Sequence, residues 1–268
     1  MIYFKRLIFL FIIISACQPL GNLNILGSIN NALDEVSAAE MSTDSDLIWA
    51  IEDSGNNNTL YALKKNGKIE KSITVLNAEN DDWEDLTMDK EGNIYIGDFG
   101  NNSKKRKTFN IYKVKHEDLN KSNATAEVIK VKLPEKFRDN FEAFFIYDDS
   151  FYLFSKESKK FVVLKVKNEI GIQESLVRSE YELNGNGNKI TSADISDDGQ
   201  IIVLLNHDKL WKLTNFNGDD FFSGTINAMP FGNNTQKEGV CFQSNDVVLI
   251  TDERNGGEGG NIYSFSLR

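Results

Sequence analysis

Trp83-Glu-Asp-Leu-Thr-Met88, a turn containing Gly92, Ile94-Tyr-Ile-Gly-Asp98, a Gly/Asn loop, Phe109-Asn-Ile-Tyr-Lys-Val114 and Val128-Ile-Lys-Val-Lys-Leu133 form one repeating unit of the chain. The four runs are alternating or continuously apolar, and turn residues separate them. That is the pattern of a four-stranded antiparallel meander. The same order recurs from Val36-Ser37, Phe141-Glu142, Thr191-Ser192 and Lys237-Glu238. Second strands are read at Ile48-Trp-Ala-Ile51, Phe151-Tyr-Leu-Phe154, Ile201-Ile-Val-Leu-Leu205 and Val247-Val-Leu-Ile250. Third strands are read at Leu60-Tyr-Ala-Leu63, Val162-Val-Leu-Lys-Val166, Leu210-Trp-Lys-Leu213 and Ile262-Tyr-Ser-Phe265.

Five meanders predict an all-β chain folded as a β-propeller of five four-stranded blades, since each blade is one such sheet and cannot bury its faces alone. The last unit stops at Arg268 after its third strand, while Leu23-Asn-Ile-Leu-Gly-Ser-Ile29 reads as a strand with no repeat of its own. An N-terminal strand that completes the last blade closes the ring without a free edge. Six blades are the alternative, since about 42 residues per blade is enough for one such sheet.

The N-terminus has a different character. Lys5 and Arg6 precede an apolar run from Leu7 to Ile14 that ends in Ser15-Ala16-Cys17. A membrane-crossing helix needs about 20 apolar residues, so the run reads as an export signal over residues 1–16 followed by one domain over 17–268. Ile14-Ser-Ala-Cys17 resembles the bacterial lipobox. That resemblance implies lipidation of Cys17, with acyl chains such as palmitate, and anchoring to a membrane of the bacterial cell envelope, facing the periplasm or exterior. Cys241 lies in a short apolar run, so no structural disulfide is expected. Taking Lys5 and Arg6 from the 30 basic side chains leaves 28 against 40 acidic ones, a balance of −12. Such a surface disfavours nucleic acid and favours cations or cationic partners. A monomer is expected.

Aligning the units brings Ser37, Glu84, Glu142, Ser192 and Glu238 to one place on the innermost strands. Three carboxylates converging on one channel repel unless hydrated, protonated or bound to a cation. Ca²⁺ suits such an irregular oxygen shell, and a hydrated acidic channel is the alternative. Counting forward gives a second ring: Glu84 to Asp98, Glu142 to Lys156 and Glu238 to Asp252 are each fourteen positions, Ser37 to Asp53 sixteen and Ser192 to His207 fifteen. Asp53, Asp98, Lys156, His207 and Asp252 are therefore expected at the channel mouth, with Arg254, Asn101, Asn102 and Arg106 near its rim. Such a mixed set can hold a polar or phosphorylated ligand.

The order Ser, Glu, Glu, Ser, Glu on successive blades resembles the calcium-activated apyrases, five-bladed propellers that hydrolyse nucleoside di- and triphosphates with Ca²⁺ in the channel. The chain departs from that family at Ala38, where apyrases carry an acid, and at Lys156, which stands for their arginine-bearing mouth. Glu52-Asp-Ser-Gly-Asn56, Asp82-Trp-Glu-Asp-Leu-Thr87 and Ile96-Gly-Asp-Phe-Gly-Asn-Asn102 are also similar to segments of uncharacterised bacterial envelope lipoproteins, a resemblance that implies no activity.

Two histidines, His116 and His207, and one non-anchor cysteine make no usual zinc site. No Gly-x-Ser-x-Gly elbow is present. Gly256-Gly-Glu-Gly-Gly260 joins two strands and reads as a hairpin loop. The expectation is an envelope module that binds a small polar ligand, a glycan or a partner protein at its mouth with Ca²⁺ in the channel. The enzymatic alternatives are a Ca²⁺-dependent phosphohydrolase, with Asp98 or Asp53 orienting water, and a six-bladed lactonase-like hydrolase.

Overall fold

The second strand of each unit is the most buried, and this decides how the sheets stack. Ile48–Glu52, Ile94–Asp98 and Ser150–Ser155 are buried along their whole length. A strand buried on both faces needs a layer on either side, and a ring of sheets supplies that to every blade. The computed structural model describes residues 22–135 and 137–268. The export segment and Cys17 lie outside the described residues.

Five sheets form the ring. Their innermost strands are Val36–Met41, Trp83–Met88, Phe141–Tyr147, Ser192–Ile195 and Lys237–Ser244 in blades 1 to 5. Each touches the next, and the fifth touches the first. The fold is a five-bladed β-propeller. Five apolar clusters fill the gaps between successive blades. Trp49 and Trp83 belong to the cluster between blades 1 and 2, for example, while Val203 and Val248 belong to the one between blades 4 and 5.

The ring closes as expected. Asn24–Ser28 pairs antiparallel with Asn261–Ser266, so blade 5 takes its outer strand from the start of the chain. Leu23 and Ile29 flank that strand and enter the cores on either side of blade 5. A side chain at Gly27 would press on the backbone of Asn66, with its Cβ 2.3 Å from Asn66 Cα. Glycine therefore lets the closing strand lie against blade 1.

Two short strands were not expected. Asn123–Ala124 adds in parallel to the outer strand of blade 1, and Gly171–Glu174 adds in parallel to that of blade 2. Each comes from the blade that follows, so loops tie neighbouring blades together. The glycine-rich stretch forms the expected hairpin, with Arg254–Asn255 paired to Glu258–Gly259. Cys241 is buried with a free thiol. No described helix is long and apolar enough to cross a membrane.

Candidate functional site at the channel mouth

The glutamates reach the channel because the inner strands are bulged. Register shifts fall between Trp83 and Asp85, between Phe141 and Ala143, and between Lys237 and Gly239. Glu84, Glu142 and Glu238 are the extra residues, and a bulge re-aims the side chain it carries. All three line a cavity of ≈ 510 Å³ at the ring mouth, together with Ser37. Ser37 Oγ donates to the carbonyl of Glu84 and so fixes blade 1 to blade 2 at this level.

Ser192, the fourth blade's equivalent, does not line the cavity. Its strand pairs regularly, Ser192 with Leu205 and Ala193 with Leu204. Its hydroxyl donates to Asp85 Oδ1 at 3.0 Å and accepts the N–H of Val240 at 3.1 Å. Asp85 is fully buried and also accepts the N–H groups of Leu86, Phe144 and Ala193. One carboxyl thus ties blades 2, 3 and 4 together beneath the cavity.

The outer ring divides by register. Val36, Trp83, Phe141 and Lys237 lie opposite Glu52, Asp98, Ser155 and Asp252. Successive side chains of a strand face opposite ways, so in blades 1, 3 and 5 the mouth is served by the residue after each of these, while in blade 2 it is served by Gly100, two positions after Asp98. The backbone confirms the equivalence: the N–H groups of Asp53, Gly100, Lys156 and Glu253 donate to the carbonyls of Glu35, Asp82, Asn140 and Gln236. Asp53, Lys156 and Glu253 accordingly line the cavity.

Asp98 and Asp252 do not: Asp252 lies one step back along the strand from Glu253, and Asp98 two steps back from Gly100. Asp98 is fully buried, 3.0 Å from Arg106 Nη1, and accepts the N–H of Asp82. Asp252 is equally buried and accepts Tyr263 Oη–H and Asn261 N–H, both at 2.7 Å. The rim residues divide in the same way. Asn102 lines the cavity. Asn101 is buried and holds the Arg106 and Arg138 backbones. Arg106 clamps the Asp98–Gly100 turn through both carbonyls while its guanidinium lies 5.3 Å from the centre of the Phe109 ring. Arg254 donates to the carbonyl of Ile29 at 2.8 Å and straps the closing segment. His207 Nε2 lies 3.1 Å from Glu238 Oε1 and borders a second cavity of ≈ 470 Å³, which shares Gln236 and Glu253 with the first.

Beyond Glu253 and the lining residues Lys104, Glu157, Ser158 and Lys189, counting missed three residues that share a pattern: Asp82, Asn140 and Gln236. Each stands two positions before a channel glutamate, as Asp82-x-Glu84, Asn140-x-Glu142 and Gln236-x-Glu238. That recurring polar-x-Glu triplet was the signal. Asn140 Nδ2 donates to Glu142 Oε1 at 2.6 Å and orients it. Asp82 joins Asp53 and Glu84, and the three offer carboxylate oxygens within 4.8 Å of one another.

Gly100 makes that corner possible. A Cβ there would lie 2.2 Å from Glu84 Oε1 and 2.3 Å from Asp82 Oδ2. The two carboxylates occupy the space that a side chain takes in the other blades.

The electrostatics follow from this crowding. Burial, then repulsion from Glu142, holds the Glu84 carboxyl well above the usual range. Burial likewise raises Asp53 and Asp82. Glu142 is pushed up to about 7 by burial, against the pull of Lys156, and Glu253 to about 8 by burial and the nearby Glu238. Burial alone would lower Lys156, but Glu238 and Glu142 outweigh it and hold the ammonium above the ordinary lysine value. An unfolded glutamate ionises near 4.5, whereas Glu142 keeps its proton to about 7. Its contribution to stability is therefore complete below about 4.5 and lost as the pH rises through about 7.

Among solved structures, the chain is similar to the PQQ-bound aldose sugar dehydrogenase of Streptomyces coelicolor, with a TM-score of 0.52 and 8% identity over 93% of this chain and 99% of that one. It is similar to a gluconolactonase from Xanthomonas campestris, with a TM-score of 0.50 and 8% identity over 94% and 99%. A chain of a nidogen/laminin complex gives a TM-score of 0.50 and 8% identity over 81% and 72%. At such identity the likeness is one of fold, and fold does not fix function. The chain matches no protein-family model and no curated protein sequence.

Proposed function

We propose that this chain is an envelope propeller, anchored through Cys17, whose mouth binds Ca²⁺ at Asp53, Asp82 and Glu84 and recruits a polar ligand with an anionic group. The observation that carries the reading is the corner over Gly100, where three carboxylates meet without an ion-pair partner among the described residues. Ca²⁺ takes oxygen ligands at about 2.4 Å in irregular shells, so ligand oxygens up to ~4.8 Å apart can share one ion. The three carboxylate oxygens lie within that limit. Within this reading, the ion and the Lys156 ammonium present positive charge to a phosphate or carboxylate of the ligand. Glu142, whose proton leaves at about 7, supports a second reading in which the bound phosphate ester is hydrolysed.

Calorimetric titration of the soluble domain with Ca²⁺ tests the proposal. One site per chain is expected, and Glu84→Gln should weaken it at least tenfold, equivalent to about 1.4 kcal/mol. Because Ca²⁺ requires ionised carboxylates and burial raises those of Asp53, Asp82 and Glu84, affinity should rise with pH through the range above the ordinary carboxylate pKa, with protons released on binding. Absence of binding, or affinity that falls over that range, contradicts the proposal. Phosphate release from a nucleoside triphosphate, lost in Glu84→Gln, would favour the second reading. For the anchor, Cys17→Ser should abolish fatty-acid labelling and release the protein from the membrane fraction, and retained labelling would refute it.

A further inference from the structure

The cavity has two acidic corners that are filled differently. Asp53 and Glu84, from blades 1 and 2, meet with Asp82 and no cation among the described residues. Glu142 and Glu238, from blades 3 and 5, share the ammonium of Lys156, which contacts Glu142 Oε2 and lies 3.9 Å from Glu238 Oε1. Between them blade 4 contributes Ser192, whose hydroxyl is engaged by Asp85 below the cavity. Lys156 therefore spans the blade whose inner strand offers no glutamate to the cavity. The two carboxylates are held for this arrangement: Asn140 Nδ2 donates to Glu142 Oε1, leaving Oε2 to the lysine, and His207 borders Glu238. The Lys156 side chain is only 19% exposed, so its charge sits in the cavity rather than in solvent.

We infer that Lys156 is a tethered cation that fills a second ion position in the mouth and confines a divalent ion to the corner of blades 1 and 2. This rests on the Ca²⁺ reading above. A lysine ammonium is a compact point charge on a flexible stem, and here it satisfies two carboxylates that a free ion would otherwise claim. Removing it leaves two buried carboxylates facing the same space, which is the condition that draws in a hard cation.

The test compares Ca²⁺ stoichiometry, by calorimetry and metal analysis, in the wild type, Lys156→Met and Lys156→Met/Glu142→Gln. The expected values are one ion, two ions and one ion per chain. The thermal shift on adding Ca²⁺ should also be larger for Lys156→Met than for the wild type. A folded Lys156→Met chain that binds no more Ca²⁺ than the wild type overturns the inference. If Lys156→Met folds only with Ca²⁺, the ion has replaced the ammonium and the inference stands. If it is unfolded with and without Ca²⁺ while the double variant folds, the inference fails, because no ion took the lysine's place. A wild type that binds no Ca²⁺ beside a Lys156→Met chain that binds one ion would refute the corner site and the confinement with it, and would uphold only Lys156 as the occupant of the second position.

Discussion

Deleting residues 23–29 is expected to lower the unfolding free energy by about 5 kcal/mol or more, a large share of the roughly 5–15 kcal/mol available to a domain. Leu23 and Ile29 are at most 5% exposed, one in the core between blades 4 and 5 and the other in the core between blades 5 and 1. Burying each contributes about 1.5–3 kcal/mol. The deletion also removes the partner of Asn261–Ser266 and uncovers a free strand edge. The Arg254 contact to the Ile29 carbonyl goes with it, so the strap between blades 5 and 1 loosens as well. Urea denaturation followed by tryptophan fluorescence reads the effect. A midpoint equal to that of the wild type would show that the ring does not depend on this closure.

Asp85→Ala is expected to cost about 3–5 kcal/mol although the residue never reaches the cavity. Its carboxyl accepts the Phe144 N–H at 3.1 Å, the Ala193 N–H at 3.3 Å and the Ser192 hydroxyl at 3.0 Å, all in buried surroundings. Alanine leaves those donors without an acceptor, and each buried orphan costs about 1–3 kcal/mol. Asp85→Asn keeps the shape and one acceptor oxygen, so its loss should be smaller. Chemical denaturation of the two variants should therefore rank alanine below asparagine and both below the wild type. A loss under about 1 kcal/mol for alanine would mean that water or a rearranged strand meets the orphaned donors.

The repeats and the closing strand were legible because they are local. Alternation along a strand, turn residues between strands and one unmatched segment at each end suffice to count five blades and join the ring. Register was not legible, because it depends on how many residues each hairpin turn takes. Blade 3 turns through Asp148 and Asp149, both at positive φ, whereas blade 2 uses residues 89–93 between its first two strands. Equal counts of fourteen residues therefore reach different positions, and Asp98 and Asp252 were grouped with Lys156 although they sit two steps and one step back from the mouth. The same slip hid Glu253. In blade 2 the mouth position is Gly100, and a glycine gives a count of polar side chains nothing to find. The convergence of the three glutamates was legible, since Glu84, Glu142 and Glu238 recur at matching positions. That Lys156 would neutralise two of them, and that Ser192 would turn to Asp85, depends on contacts between blades that no single repeat encodes.

The proposed Ca²⁺ corner fixes where a cation sits. Crystals of the soluble domain grown with Ca²⁺, with anomalous difference maps to locate the ion, should show a single peak bounded by Asp53, Asp82 and Glu84 beside Gly100, with Lys156 still on Glu142 and Glu238. No peak at saturating Ca²⁺, or a peak between Glu142 and Glu238 with Lys156 displaced, would contradict it.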